Sequence, residues 1–239
     1  MKNTREISLG LIVLLLSISL FSFSQTQFRF QENKGQLPNS VFSKIKVPGG
    51  SVFIEKGKFL YSFYNNKQLQ EKHDLIRNED WIDAHYFSAI FLNSLESSEI
   101  KLSEESDYFE NFYTSEIQVE NVHFYKELEQ KNIYPGIDLK MYSYENNLKY
   151  DLILHPNANS RKIRIKYAGQ ENIYLKNENL IIETSVNTVT ELAPFAYQII
   201  NDSILPVECK FKLKNNILSF DFPNSYDNTK DLVIDPTLI

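Results

Sequence analysis

The feature that most constrains the fold is a series of short segments in which apolar and charged residues alternate. Residues 162–167 place Ile163, Ile165 and Tyr167 at every second position, and residues 207–214 alternate apolar and mostly lysine side chains. Successive side chains of a strand point to opposite faces, so this pattern predicts strands with one packed and one solvated face. Such segments recur about every 8–12 residues, which is typical of an antiparallel sandwich or barrel.

The pattern therefore predicts an all-β, antiparallel, sandwich-like fold with little helix. Strands do not alternate with helical segments, so a parallel α/β fold is not expected. The domain organisation has two alternatives. In the first, residues 25–132 and 133–239 form two lobes. In the second, residues 25–239 form one domain, which stays open because no Pro/Gly/Ser-rich linker marks a boundary.

Local signals predict the connections in the first half of the chain. Residues 51–55 and 58–63 flank a Lys-Gly pair, and Gly57 tolerates the positive φ of a tight hairpin turn. Residues 65–85 are polar without clear periodicity, which indicates a loop or a short exposed helix. Aromatic-rich strands are expected beyond residue 85, interrupted by acidic turns such as residues 103–106.

The N-terminus is typical of a secretory signal peptide over residues 1–24. A positively charged start precedes an apolar stretch over residues 7–23, and Ser22 and Ser24 occupy the small-residue positions of a cleavage site. We expect cleavage before Gln25 and export of the remainder; an uncleaved membrane anchor is the alternative. No later segment is long and apolar enough to predict a membrane-spanning helix in the mature chain.

Composition argues against several classes of function. The formal net charge is -6 and no basic block is present, so nucleic acid is not an expected partner. The single cysteine, Cys209, excludes an internal disulfide and a Cys-rich zinc site, and its place in residues 207–214 predicts a buried thiol. No metal or other cofactor is expected, because no zinc-motif spacing relates the histidines, which are His73, His85, His123 and His155.

Three aspartates stand among apolar neighbours: Asp138, Asp151 and Asp235. Asp is disfavoured within strands, so each needs a physical reason. Two carboxyl groups about 5–5.5 Å or about 6.5–9.5 Å apart would suit glycoside hydrolysis. The alternative is a structural carboxylate that accepts hydrogen bonds from backbone N–H groups, tyrosine or lysine, and this is what we expect for all three.

The hairpin around residues 145–147 tests the catalytic interpretation. If all three residues form the loop, Asp138 and Asp151 point to opposite faces. If only residues 146–147 form it, the faces agree but the two carboxylates lie about 13 Å apart. Neither register forms a catalytic pair, so we predict no catalytic residues.

Five short stretches together resemble a known family. In order and spacing they are similar to the β-rich N-terminal domain of large secreted surface proteins from gliding bacteria that use type IX secretion. In that family the domain usually precedes β-propeller-type repeats and a gliding-motility-associated C-terminal sorting domain. Because this chain ends at Ile239, a stand-alone or truncated copy and a piece of a longer protein are the two expectations. The stretches are Glu32-Asn33-Lys34-Gly35-Gln36, Tyr134-Pro135-Gly136-Ile137-Asp138-Leu139, Lys149-Tyr150-Asp151-Leu152, Pro194-Phe195-Ala196-Tyr197-Gln198 and Leu232-Val233-Ile234-Asp235-Pro236-Thr237-Leu238.

The resemblance implies a non-enzymatic structural or adhesive module, exported to the cell surface, the outer membrane or the medium. Its expected partners are β-propeller-type repeats or other surface proteins. A carbohydrate-binding module is the main alternative, with glycans as the ligand. A hydrolase that uses carboxylates from distant segments is a third interpretation.

Overall fold

The computed structural model describes residues 28–76, 79–144 and 147–238, so the predicted signal peptide lies outside the described residues. Over these ranges the chain forms nineteen strands, one α-helix, α1 (Asn66–His73), and a short 3-10 helix, Ser160–Lys162. The strands are β1 (Phe30–Glu32), β2 (Val41–Val47), β3 (Gly50–Glu55), β4 (Lys58–Tyr64), β5 (Ala84–Phe91), β6 (Glu99–Tyr113), β7 (Gln118–Tyr134), β8 (Ile137–Tyr144), β9 (Asn147–Leu154), β10 (Ile165–Ala168), β11 (Asn172–Lys176), β12 (Asn179–Glu183), β13 (Thr188–Glu191), β14 (Phe195–Ile200), β15 (Ser203–Val207), β16 (Lys210–Lys214), β17 (Ile217–Asp221), β18 (Leu232–Asp235) and β19 (Thr237–Leu238).

The strands form one large, curled antiparallel sheet. Pairings lead from β15 through β14, β18, β9, β8, β7, β1, β2, β3, β4, β5, β10 and β17 to β16. The strands at the two ends of this path, β15 and β16, are joined by only Glu208 and Cys209. Since a residue spans at most about 3.6 Å, the end of β15 lies within about 11 Å of the start of β16, and the sheet curls back toward itself. The predicted all-β, sandwich-like fold is confirmed.

This curling corrects the interpretation of residues 207–214 as one strand. Val207 pairs with Ala196 in β14, whereas Lys210 pairs with Asp221 in β17. The alternation of apolar residues continues across the break, because both strands turn the same side of the chain toward the core. Periodicity alone does not show where a chain passes from one part of a sheet to another.

A small sheet, β11 to β13, attaches through β19 to β9. One hydrophobic cluster draws on both predicted lobes, with Phe30 and Leu128 from the first and Leu152 and Ile234 from the second. Strand β7 runs continuously through the expected boundary at residue 132. The two predicted lobes thus share one core, and the choice between one and two domains stays a prediction.

The first predicted hairpin is confirmed. Glu55 pairs with Lys58 across a two-residue turn in which Gly57 has a φ of 66°. The polar region that follows contains α1, which begins after Asn65, whose side chain accepts a hydrogen bond from the Gln68 N–H at 3.2 Å. None of its residues is buried, and within the described ranges no helix could cross a membrane.

The acidic turn expected at residues 103–106 is wrong, because β6 continues through it. The pairing with β7 changes register beyond Glu105, and Glu104 has a φ of 57°, which indicates a β-bulge. The bulge absorbs the extra residues without ending the ladder, and Lys126 lies 3.6 Å from the Glu104 carboxylate. Acidic residues on this edge strand therefore mark a solvated strand rather than a turn.

Candidate functional site

The β8–β9 hairpin places Asp138 and Asp151 on the same outward face of the sheet. Tyr144 pairs with Asn147, and Lys140 pairs with Asp151. Asn147 therefore begins β9 instead of belonging to the loop, and both predicted registers are wrong. Asp138 and Asp151 are diagonal neighbours whose Cα atoms lie about 7–8 Å apart, so the separation that argued against a carboxylate pair is not the one observed.

Asp138 is the acceptor of a local hydrogen-bond network. Its carboxylate, with only 4% of the side chain exposed, lies 2.9 Å from Lys131 Nζ and 3.0 Å from His155 Nε2. The Asn132 N–H donates to its other oxygen at 2.7 Å. Burial alone would raise the pKa of Asp138, but hydrogen bonds from Asn132, His155 and Lys131 outweigh burial and hold the pKa below its ordinary value. The same contact with Asp138 raises the pKa of His155.

Asp151 has a different neighbour, Asp235. Pairing of Leu152 with Ile234 and of Lys149 with Thr237 places the two carboxyl groups on directly opposite positions of β9 and β18. Tyr142 donates to Asp151 at 3.2 Å, and Lys149 lies 2.6 Å from Asp235. Burial, followed by the charge of Asp235, raises the pKa of Asp151 to about 6. All three aspartates therefore accept hydrogen bonds of the expected structural kind.

A cavity of about 380 Å³ lies between β2 to β4 on one side and β9 and β13 on the other. Its volume is within the range of about 300–1,000 Å³ that is usual for small-molecule sites. Its walls are mainly apolar, and amide and hydroxyl groups supply the polar part. The lining residues are Phe28, Val47, Pro48, Val52, Tyr61, Phe63, Asn147, Leu148, Asn187, Thr188 and Val189.

Two tyrosines bind a buried glutamate in the core. Glu191, which is 1% exposed, accepts hydrogen bonds from the Tyr150 hydroxyl through one carboxyl oxygen and from the Tyr167 hydroxyl through the other, the second at 3.0 Å. Burial raises the pKa of Glu191 to about 7, against the opposing effect of the two tyrosine hydrogen bonds. Burial and the nearby Glu191 charge raise the pKa of both tyrosines well above the ordinary value, so both donate as neutral phenols.

Tyr61 connects this cluster with the cavity. It lines the cavity, is only 4% exposed and stacks on Phe87 with ring centroids 4.6 Å apart. Burial, and then the charge of Glu191, raises the pKa of its phenol. The Tyr61 hydroxyl makes no hydrogen bond to any other described residue. The cavity thus has an apolar wall, a free hydroxyl and a titratable carboxyl group behind that hydroxyl, which makes it the candidate functional site.

Comparison with protein-family models matches residues 30–237 to a domain of unknown function, DUF7948. The chain belongs to the DUF7948 family. The match runs from β1 into β19, so the DUF7948 domain includes the buried glutamate, all three aspartates and every residue that lines the cavity except Phe28. No curated protein and no solved structure matches the chain significantly. The likeness to surface proteins of gliding bacteria stays a prediction.

The remaining candidate residues of the DUF7948 domain lie apart from the cavity. Cys209 packs against the core, as expected, and burial followed by the Asp221 charge raises the pKa of its thiol to about 12. His85 lies within hydrogen-bonding distance of Ser185 and the Gly169 carbonyl, far along the chain from His155. Among the described residues, no group of three or more His, Cys, Asp or Glu side chains could hold a metal ion.

Sequence reasoning missed the Glu191 cluster of the DUF7948 domain. One signal was present: Val189 and Glu191 are two residues apart in a strand and therefore share a face, and valine favours the packed one. The two tyrosines that bind Glu191 come from β9 and β10, and no local pattern connects those strands with β13. Only the curling of the sheet brings the three side chains together.

Proposed function

We propose that this DUF7948 domain is a non-enzymatic docking module of an exported cell-surface protein, which binds another protein through the outer face of β14 and β15. The observation that carries this proposal is an exposed apolar surface. Phe195, Ile199 and Ile204 are 49%, 59% and 62% exposed. Contiguous apolar surface of this kind is uncommon on a free monomer and is typical of interfaces.

The exposed side chains belong to one face of the sheet. Ile199 pairs with Ile204, and Tyr197 pairs with Pro206, so alternate residues of both strands point to the same side. We call this surface the β14–β15 patch; it consists of Phe195, Tyr197, Ile199, Ile204 and Pro206. The Phe195 and Tyr197 rings stack with centroids 5.6 Å apart, which supplies an aromatic anchor beside the aliphatic residues.

A partner is expected to cover the face of β15 rather than extend its edge. β14 and β15 are joined by a two-residue turn in which Asn201 and Asp202 both have positive φ. In such a hairpin the backbone groups of Ile204 and Pro206 point away from β14. Because proline has no N–H, the free edge lacks a donor at that position, and strand addition is disfavoured.

The surroundings of the patch specify the chemistry of the partner. Asp202, Glu208 and Asp231 are exposed near its border, and Asp151 and Asp235 lie beside Phe195 on the same face. A protein with an apolar centre and a basic rim is complementary to this arrangement. Two isoleucines in the patch favour a protein over a glycan, because sugar rings stack on flat aromatic faces.

Sequence features support the exported location and the kind of partner. The signal-like N-terminus supports export to the cell surface, the outer membrane or the medium. The resemblance supports β-propeller-type repeats or other surface proteins as the partner. Hydrogen bonding of Asp151 and Glu191 by tyrosine hydroxyls supports structural rather than catalytic roles for these carboxyl groups.

Binding to a purified β-propeller-type repeat domain from a surface protein of the resembled family tests the proposal. We expect Ile199→Asp to weaken binding at least about tenfold, because an ionised group would be buried at the centre of the contact. Leu175→Asp is the matched control, since Leu175 is 38% exposed on β11, outside the patch. Isothermal titration calorimetry at low and high salt measures both the affinity and the contribution of the acidic residues at the border of the patch.

Equal affinities for Ile199→Asp, Leu175→Asp and the unmodified protein would contradict docking through the patch. Binding of polysaccharides on a glycan array, abolished by Phe195→Ala and unaffected by Ile199→Asp, would instead support the carbohydrate-binding alternative.

A further inference from the structure

The cavity between the two layers of the sheet has the properties of a ligand site that is separate from the β14–β15 patch. At about 380 Å³ it is larger than the apolar cavities of about 150 Å³ that already bind benzene. Its walls come from both layers of the large sheet, with Val52 of β3 and Leu148 of β9, and from the small sheet, with Val189 of β13. Such walls hold an apolar molecule by removing its surface from water.

The hydroxyl of Tyr61 is the polar group that a ligand would meet. The Tyr61 side chain is 4% exposed, and no hydrogen bond joins its hydroxyl to another described residue. This oxygen is not among the fully enclosed polar atoms that lack a partner, so it keeps access to the cavity that Tyr61 lines. The nearby Glu191 carboxyl group accepts from Tyr150 and Tyr167 and forms no hydrogen bond with Tyr61. Tyr61 is therefore a nine-tenths-buried donor that lines the cavity and lacks an acceptor.

The charge around the cavity defines the class of ligand. None of its lining residues is Lys, Arg or His, so an anion would be desolvated without compensation. A cation in the cavity would not contact Glu191, because Glu191 is 1% exposed and is not one of the lining residues. We propose that the cavity is a binding site for a small, uncharged, mainly apolar molecule whose carbonyl or hydroxyl oxygen accepts a hydrogen bond from Tyr61.

A pair of probes of the same shape tests the polar contact. 2-Acetylnaphthalene carries a ketone oxygen, and 2-isopropenylnaphthalene replaces that oxygen with a methylene group. Titration calorimetry with the purified protein should give saturable binding of both, with the ketone bound about three- to tenfold more tightly. The anionic 2-naphthoate should bind more weakly than the ketone, because the cavity offers no cation.

Three variants locate the binding. Tyr61→Phe should remove the preference for the ketone while leaving the melting temperature nearly unchanged, because the hydroxyl has no partner to lose. Val47→Phe, at a half-buried lining position, should weaken both probes by filling the cavity. Val119→Phe, at a half-buried position of β7 that does not line the cavity, is the control and should bind both probes like the unmodified protein.

The proposal fails if neither probe binds saturably, which is also the result expected if the chain that precedes Phe28 fills the cavity. It also fails if Tyr61→Phe keeps the preference for the ketone, or if Val47→Phe binds as tightly as Val119→Phe. The patch variant Ile199→Asp should leave both probe affinities unchanged, so this result is independent of the docking function.

Discussion

The Glu191→Gln variant is expected to lose the part of the decline in stability between about pH 4.5 and about pH 8 that Glu191 causes in the unmodified protein. The pKa of Glu191 is raised from 4.5 in the unfolded chain to about 7 in the folded protein. Between these values the folded state holds a proton that the unfolded state has released. The contribution of Glu191 to the free energy of unfolding is therefore fully present below about pH 4.5 and is lost as the pH rises through about 7.

The size of the effect follows from the shift. One pKa unit corresponds to about 1.4 kcal/mol, so the loss approaches about 3 kcal/mol in the free energy of unfolding. Glutamine has nearly the same shape and stays neutral, and its carbonyl oxygen accepts from one tyrosine. As the pH rises from about 4.5 to about 8, the unfolding free energy of Glu191→Gln should therefore increase by about 3 kcal/mol relative to that of the unmodified protein.

Urea denaturation at a series of pH values measures this difference. Subtracting the pH profile of the unmodified protein from that of the variant cancels the contribution of Asp151, because the raised pKa of Asp151 lowers stability with rising pH in both proteins. Glu178→Gln is the control, because Glu178 is exposed and its replacement should leave the pH profile unchanged. Identical pH profiles for Glu191→Gln and the unmodified protein would mean that Glu191 ionises without penalty in the folded state.

The Asp138→Ala variant is expected to unfold with about 3 kcal/mol less free energy than the unmodified protein. The substitution leaves the Asn132 N–H without its acceptor and removes the carboxylate that Lys131 and His155 contact. Breaking a buried charged network typically costs several kcal/mol. For a domain of this size the melting temperature should fall by about 6–12 °C.

Two further variants test whether the destabilisation comes from the loss of the Asp138 hydrogen bonds or from the loss of any carboxylate. Asp138→Asn keeps an oxygen that can accept from Asn132, so it should be less destabilised than Asp138→Ala. Asp107→Ala, at an exposed position of β6, should have almost no effect. An NMR titration should also show a lower pKa for His155 in Asp138→Asn, because Asp138 is what raises it. An unchanged His155 titration would contradict the contact.

Patterns local in sequence were sufficient for the fold class and for several connections. The Lys-Gly turn between β3 and β4, the exposed helix near residue 70 and the buried positions of Ile163, Ile165 and Tyr167 all depend on a few neighbouring residues. Strand alternation and glycine at positive φ act over such short distances, which explains why these predictions are confirmed. The extent of β6 was missed because a bulge and a turn have the same acidic, Ser-rich composition.

The register of the β8–β9 hairpin could not be predicted from the local sequence. Asn147 suits a turn as well as the first position of β9, and a shift of one residue moved Asp151 from the face opposite Asp138 to the same face. No property of the hairpin itself distinguishes the registers. Pairing of β9 with β18 on its other edge buries Leu152 and Ile234 together, and a β8–β9 register shifted by one residue would turn Leu152 to the outer face.

The sequence by itself therefore determined an all-β, antiparallel chain with alternating packed and solvated positions, because side-chain period and turn chemistry are local. Only the tertiary structure decided which distant residues meet. Asp151 lies beside Asp235, and Glu191 lies between Tyr150 and Tyr167, because the sheet curls until strands far apart in sequence face one another. Side-chain burial and pKa depend on those neighbours across the core, and no single strand carries that information.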